Sequence, residues 1–589
     1  MRSILGAGTL LCLAVAPAAA QDTATVTLTP VACSGQRIDD IVIYSSAPTT
    51  AVFRRLKLTK VVSAIHTTTR PDLIRRFLLL QRGDSCNELR RSESERILRA
   101  QTFIAEASVR MVKGPNDENI LEVRTSDEVA LVVGVAATTA PPPVRFVRVG
   151  DANINGEGIY LAGDWRDGKA FRDGYGGRFV DYQLLGRPYT LTADGHVTPL
   201  GSNWNIDAAH AFQTDLQRIA WRARAGADDD YSQFRATDTS THALRVRRNY
   251  FDVGGIIRVG PPGRLSLFGA SISGDDERPG TLPVLISDHG FAPDTSTQLV
   301  NRYVDHRIAR VNALWGIRDL GFARVTGFDA LTGTQDFAVG FQLGTMFGRS
   351  LSVLGSRDDD IFMSGDLYMG AVGRNNGLRV QVQSEGRRDN TLAASCSFTT
   401  SLADECKSGN WDGLLTSGRA IEYLKLSPQH TTTLSVEFSG GWRQRVPFSL
   451  TLSDPNGGLR GFYGSDTPGG QRIVMRLDNR LFVGRPWNAA DIGVGAFSDA
   501  GRLWHGDIPY GVTTPMHASV GISLLGAVPV RSARIWRVDL AYAFRPEEGG
   551  HRFEVRLSNT DRTTFFIAEP ADIGSVREPT VPQSIFRWP

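Results

Sequence analysis

Residues 457–504 carry the stretch that decides the fold. It begins with GGLRGF at 457–462, passes through a glycine-rich turn, and ends with FSDAGRLW at 497–504. Between these ends, residues 472–478 (RIVMRLD) alternate in the way that predicts a β-strand with an apolar and a polar face. We therefore expect a loop that folds back into a β-barrel and places Arg460 against acidic groups of the lumen wall.

Asp478 and Asp499 are the expected acidic partners of Arg460. A period of two places Leu477 on the lipid face and turns Asp478 inward. Asp499 lies among the small residues Ser498, Ala500 and Gly501, which leave room for a long side chain. An arginine inside a barrel must be paired or wet, and its planar fork suits carboxylates. From periodicity alone, an Arg460 that only caps a surface turn is an equally good interpretation.

The same alternation runs from about residue 145 to 560. In one row Leu434, Val436 and Phe438 are apolar, while the residues between them are polar. A soluble sandwich also alternates, but charged polar positions and aromatic residues near strand ends favour a membrane barrel. No mature stretch approaches 18 apolar residues, so a transmembrane helix is not expected. The fold class predicted for 145–560 is an all-β transmembrane barrel of about 16 antiparallel strands, and 14 would also fit.

Length and charge bound the rest of the interpretation. A chain of 589 residues requires at least two domains, and a net charge of +3 without a basic and aromatic motif argues against nucleic acid as a partner. Residues 1–20 have the positive start, apolar run and small-residue end of a signal peptide, with a short buried helix as the alternative. Export from the cytoplasm follows from the first interpretation.

Four cysteines remain after residue 20: Cys33, Cys86, Cys396 and Cys406. An oxidising compartment permits disulfides, and of three pairings we favour Cys33–Cys86 and Cys396–Cys406, with free buried thiols as the alternative. The absence of Cys-x-x-Cys argues against a metal site. The acidic runs at 228–230 and 358–360 are typical of solvated turns, with calcium binding as the alternative. No metal and no cofactor is predicted.

An α+β module is predicted at residues 21–134, with the order β-α-α-β-β over 38–126. Pro71 opens the first helix, Asn87 or Ser85 caps the second, and strands follow at 107–113 and 120–125. The many arginines of the helices indicate a solvated face, or contact with anionic lipid or an acidic partner. A proline-rich linker is expected at 135–144. An irregular tail at 561–589 would be disordered, plug the pore or bind a partner.

Three sets of motifs resemble one known family. Residues 75–84 and 92–99 resemble the two helices of a POTRA module, the periplasmic domain of outer-membrane assembly proteins, and NINGEG at 153–158 resembles the start of that family's barrel. The stretch Leu459-Arg460-Gly461-Phe462 resembles the inward-loop motif of the BamA/TamA superfamily, also called the bacterial surface antigen family. FSDAG at 497–501 resembles the paired strand motif. The resemblance implies that Arg460 pairs with Asp499, and less securely with Asp478.

The resemblance also implies a function. It predicts an outer-membrane factor, with its single module in the periplasm, that assists insertion or translocation of unfolded outer-membrane or secreted client proteins. Outer-membrane lipids and periplasmic accessory proteins would be its other partners. A passive pore and a single-partner secretion transporter are the alternatives, although the latter predicts a plug helix before the barrel and usually two modules. No catalytic residue is expected, because Gly-x-Ser-x-Gly, His-Glu-x-x-His and phosphate-loop motifs do not occur.

Overall fold

The computed structural model describes residues 29–48, 67–138, 143–167, 173–287, 289–296, 298–389, 411–545, 552–560 and 570–578. The predicted signal peptide and the pair Cys396 and Cys406 lie outside these residues. Among the described helices, none combines the length and the apolar character that crossing a bilayer requires.

The first unit is a small α/β module built on a four-stranded sheet. Its order is β1-β5-β6-β3, and β3 is parallel to β6. The elements are β1 Thr29–Val31, β2 Ser34–Arg37, β3 Asp40–Ser46, α1 Pro71–Arg76, β4 Ser85–Asn87, α2 Glu88–Ala100, β5 Ile104–Lys113 and β6 Asn119–Asp127. Ile74, Leu98 and Val109 are among the fully buried side chains that join the helices to the sheet.

The two helices show how local sequence sets the module. The side chain of Asn87 accepts a hydrogen bond from the Arg90 N–H at 3.1 Å, which is the predicted N-cap of α2. The first helix, which Pro71 opens as predicted, has 6 residues and ends at Arg76. The chain after it bends so that Leu78 and Leu80 are buried, and the Leu79 N–H bonds to Ser94 Oγ at 2.9 Å.

The second unit is a closed antiparallel barrel. In the described residues its wall has 20 strands, and a short hairpin of two further strands extends from it between β15 and β18. The wall strands are β7 Leu131–Thr138, β8 Val144–Asp151, β9 Ile159–Arg166, β10 Gly174–Asp181, β11 Thr190–Val197, β12 Ser202–His210, β13 Ile219–Arg235, β14 Thr241–Val259, β15 Leu265–Pro279, β18 His306–Thr326, β19 Thr334–Ser350, β20 Asp360–Val372, β21 Asn376–Asp389, β22 Trp411–Ser427, β23 His430–Trp442, β24 Gln471–Gly484, β25 Asp491–Trp504, β26 His517–Ala527, β27 Ile535–Ala543 and β28 Phe553–Thr560. The hairpin strands are β16 Val284–Ser287 and β17 Gly290–Pro293.

Two predictions about the barrel were wrong. The count of about 16 strands was too low, because β7 to β11 are only 8 residues long each and fit more strands into the same length. The linker placed at 135–144 overlaps β7 and the first residue of β8, which pair as the first hairpin of the barrel. Residues 135–138 and 144 therefore belong to the barrel wall and are not a boundary between domains.

The barrel has a module end and a distal end. The module ends at Asp127 and β7 begins at Leu131, so we call the edge where β7 begins the module end and the opposite edge the distal end. The outer face is apolar: Met475 and Leu477 are 40% and 45% exposed, whereas Val474, which precedes Met475 and points inward, is fully buried. Inward positions carry charge, and the acidic run at 228–230 lies inside β13 instead of in a turn. Within this run, Asp229 points to the outer side with the exposed Arg245 and Arg247 of β14, and ion pairs with both arginines compensate its charge.

Helix α2 docks on the module end of the barrel. Arg99 donates from Nε and Nη2 to the two carboxylate oxygens of Asp336, at 2.9 and 2.7 Å, and Arg96 donates to the Gln213 carbonyl. Glu95 accepts from Arg324 of β18 and from Arg99. For Arg99, the acidic group is therefore a residue of the barrel wall. Burial alone would raise the pKa of the Glu95 carboxyl, but the charges of Arg99 and Arg324 outweigh it, so the pKa lies below its ordinary value.

Candidate functional site: the loop inside the barrel

Residues 443–470 connect β23 to β24 and fold from the distal end into the barrel; we call them the lumen loop. Backbone bonds shape its tip, because the Gly458 N–H donates to Ser453 and the Leu459 N–H to Leu452, at 2.9 and 3.0 Å. A Cβ at Gly458 would collide with the Leu452 carbonyl, and Gly461 has φ of 89°, a left-handed conformation that favours glycine. The backbone conformation of the loop tip therefore requires glycine at 458 and favours it at 461.

Arg460 at the tip of the lumen loop meets both predicted acidic partners. Its Nε and Nη2 donate to the two oxygens of Asp499 at 2.8 and 2.6 Å, and its backbone N–H reaches Asp499 at 3.2 Å. Its Nη1 donates to Asp478 Oδ2 at 2.9 Å. Asp499 on β25 is fully buried and Arg460 nearly so. One planar guanidinium thus joins the loop to two neighbouring wall strands, β24 and β25.

Aromatic and apolar contacts also hold the lumen loop in place. The ring of Phe497 lies 3.7 Å from the Arg460 guanidinium carbon, a cation–π contact in a desolvated site. Leu459 and Phe462, the other large residues of the motif, are buried in one apolar cluster with Val474. The loop therefore has an apolar anchor on either side of its buried charge.

The side chain of Arg476 on β24 binds the backbone of the lumen loop. It donates to the carbonyl oxygens of Gly457 and Gly458, each at 2.7 Å.

The lumen loop also reaches the junction where the barrel closes. Within the described residues, the first and last strands of the wall, β7 and β28, pair over 4 residue positions, whereas β8 and β9 pair over 6. On one side of this junction, which we call the seam, Tyr463 N–H donates to Glu554 at 3.3 Å and Asp454 pairs with Arg556. On the other side, the Tyr463 hydroxyl lies 3.4 Å from the Arg145 carbonyl of β8. Among the described residues, the loop thus bridges the shortest pairing of the wall.

Sequence reasoning missed several charged residues that bind the loop or its acidic partners. Arg537 on β27 donates to Asp478 at 2.7 Å, and Glu554 and Arg556 on β28 contact the loop. Each is a charged residue at an inward position of an alternating row. That alternation was the available signal, but it does not say which inward charges face the loop.

The cysteines and acidic runs were also candidate sites. Cys33 and Cys86 form a disulfide with their Cα atoms 5.3 Å apart. His306, Asp358 and Asp389 lie close enough to share a metal ion, but His306 Nδ1 is 3.0 Å from Asp358 and Asp389 is 2.8 Å from Arg445. Their charges are thus balanced within the protein, and the trio carries no argument for a metal.

A closed barrel with an apolar outside, a charged lumen and a loop folded into it defines the class of an outer-membrane β-barrel protein. No protein-family model and no curated protein sequence matches the chain. Among solved structures it is similar to BamA from Haemophilus ducreyi lacking POTRA domains 1-3, at 12% identity over 89% of this chain and 84% of that chain, TM-score 0.34. It is also similar to CdiB from Escherichia coli, at 10% over 89% and 77%, TM-score 0.43. CdiB from Acinetobacter baumannii matches at 8% over 89% and 73%, TM-score 0.36.

Proposed function

We propose that the chain is a BamA/TamA-type factor that assists insertion or translocation of client proteins at the bacterial outer membrane. The observation that carries this proposal is the lumen loop. Its Arg460 is clamped by Asp499 and Asp478, and its Tyr463 and Asp454 reach both sides of the seam. A loop that holds a short seam in register is suited to a barrel that opens sideways.

The seam is physically the easiest place to open. Each wall junction is stabilised by its ladder of backbone hydrogen bonds and by side-chain pairs, so the junction with 4 paired positions among the described residues is expected to separate first. An opened seam exposes unpaired strand edges, and such edges are templates for a further strand. A client strand would add there and pass into the bilayer. No bond is made or broken, so the proposal requires no catalytic residue.

The α/β module fits a role in delivery and is proposed to be a POTRA-like periplasmic domain. Strand β3 lies at one edge of its sheet, where an extended client segment would add as a further strand. Helix α2 fixes the module to the module end of the barrel through Arg99 and Asp336. Outer-membrane lipids and unfolded barrel or secreted proteins are the proposed partners, with periplasmic accessory proteins as a further expectation.

A disulfide across the seam tests the proposal. Val555 and Ala137 are register partners on β28 and β7, and opposed residues of an antiparallel pair lie at a distance that a disulfide spans. The matched control pair is Ile522 and Leu540 on β26 and β27. In liposomes, the oxidised Val555→Cys/Ala137→Cys barrel should insert a test barrel no faster than empty liposomes, and reduction should restore insertion. The control pair should be active in both states.

A passive pore gives a different result. Ion passage would then be unaffected by the seam disulfide, and insertion by the parent chain would not exceed that of empty liposomes. Active insertion by the oxidised seam variant would instead disprove sideways opening while leaving a role in assembly.

A further inference from the structure

The segment 570–578 lies inside the barrel, where the lumen wall forms a charged binding site for it. It contains helix α3 (Ala571–Val576) followed by Arg577 and Glu578. Strand β28 ends at Thr560, at the module end. The contacts of the segment are instead near the distal end, with Arg472 at the start of β24 and Arg387 near the end of β21. The tail was expected to be irregular; these residues contain a short helix and are bound to the wall.

Glu578 binds between two wall arginines. One carboxylate oxygen pairs with Arg310 and the other accepts from Arg387 Nη2 at 2.5 Å. Arg310 also binds Asp360 in a bidentate pair at 2.8 and 2.6 Å and is fully buried. A buried charge without a partner is strongly destabilising. The two buried guanidiniums therefore form a site for an anion, which the Glu578 carboxylate occupies with charge-assisted hydrogen bonds.

The neighbouring residues extend the match of charge. Arg577 donates to Glu385 at 3.1 Å and to Ser417 Oγ at 3.1 Å. At the other end of the segment, Asp572 pairs with Arg472 at 2.5 Å. The segment therefore carries an acidic, a basic and an acidic side chain at residues 572, 577 and 578. The wall presents the opposite sign at each position, which is recognition by electrostatic complementarity.

An apolar contact links the segment to the lumen loop. Ile573 is fully buried in the cluster that contains Leu452 and Leu459 of the loop. Pro570 lies against Gly457, where an added Cβ would be 2.7 Å from the proline ring. Gly574 and Ser575 are exposed, so the segment binds by one face and leaves the other toward the lumen.

We propose that the lumen wall is a binding site for an acidic peptide, that segment 570–578 is its resident ligand, and that this segment closes the barrel to ions. Its hold is mainly ionic, so reversing one charge of the ligand releases it. The site then offers Arg387, together with the Arg310 side chain that Asp360 still holds, to another peptide with the same charge order. Ion passage needs no client protein, so the inference fails or succeeds independently of the proposed assembly function.

Conductance of the full chain in planar bilayers tests the inference. Glu578→Lys places a cation between Arg310 and Arg387, and we expect conducting steps that the parent chain lacks. Ser575→Lys is the matched control, because it adds a cation on the exposed face of the same segment, and it should behave as the parent. The peptide PADIGSVRE, which spans 570–578, should block the new steps, whereas a scrambled peptide of the same composition should not.

Folding is checked before conductance. Glu578→Lys should migrate as a heat-modifiable folded barrel on semi-native gels. If it does not fold, Glu578→Gln serves in its place, since it removes the charge and keeps the volume. A folded variant at residue 578 with the closed behaviour of the parent, or new steps that the peptide leaves unblocked, would overturn the proposal.

Discussion

Replacing Arg460 with alanine should destabilise the barrel more than any surface arginine change, because it leaves a fully buried carboxylate without its bidentate partner. Asp478 keeps Arg537 at 2.7 Å after the change, so the loss falls on Asp499. Breaking a buried ion pair from one side typically costs about 3–5 kcal/mol. At about 1.4 kcal/mol for each tenfold change, this is roughly a hundredfold to several thousandfold in the unfolding equilibrium.

The assay is urea unfolding of the barrel in lipid vesicles, followed by tryptophan fluorescence and by the folded band on semi-native gels. Arg278→Ala is the control, because Arg278 and Asp276 form an exposed pair at 2.6 Å. Such surface pairs contribute about 0–1 kcal/mol. The Arg460→Ala midpoint should fall well below both the parent and the control. An Arg460→Ala midpoint equal to that of Arg278→Ala would refute the claim that the lumen loop is anchored by this ion pair.

One further prediction concerns the same ion pair, and two concern the α/β module. The exchange Arg460→Asp with Asp499→Arg should recover part of the stability that either single change removes, and a double variant as unstable as the sum of the singles would exclude a direct pairing. The lowered pKa of Glu95 means that its contribution is complete above its ordinary pKa of about 4.3 and is lost as pH falls through the folded value. Hydrogen exchange of α2 should therefore rise on acidification below about pH 4, and Glu95→Gln should show a smaller rise. Replacing Cys33 and Cys86 with serine opens a loop with a sequence separation of 53, and should cost the module up to about 4 kcal/mol in thermal or urea unfolding, with the barrel transition unchanged.

Local sequence determined the parts of the structure that depend on local physics. The N-cap Asn87, the strands of the module and the inward position of Asp478 follow from capping and from a period of two. The pairing of Arg460 with Asp499 joins residues 39 apart, and only the family resemblance made it more than one of two equal interpretations.

The parts that were missed depend on distance along the chain. Arg310 and Glu578 are 268 residues apart, and nothing near either residue marks the other as its partner. The strand count failed for a related reason, because alternation marks strands but does not fix where an 8-residue strand ends and the next begins. Docking of α2 on Asp336 joins two units whose surfaces each look like ordinary solvated charge.

Pulsed electron–electron double resonance, which measures the distance between two spin labels across the seam, tests the central claim most directly. Spin labels at Leu540 on β27 and Val147 on β8 flank the β28–β7 junction. In the parent barrel in lipid, the account predicts a narrow distance distribution, and in Arg460→Ala a broader one shifted to longer distances. Identical distributions in the two proteins would show that Arg460 and the lumen loop do not hold the seam closed.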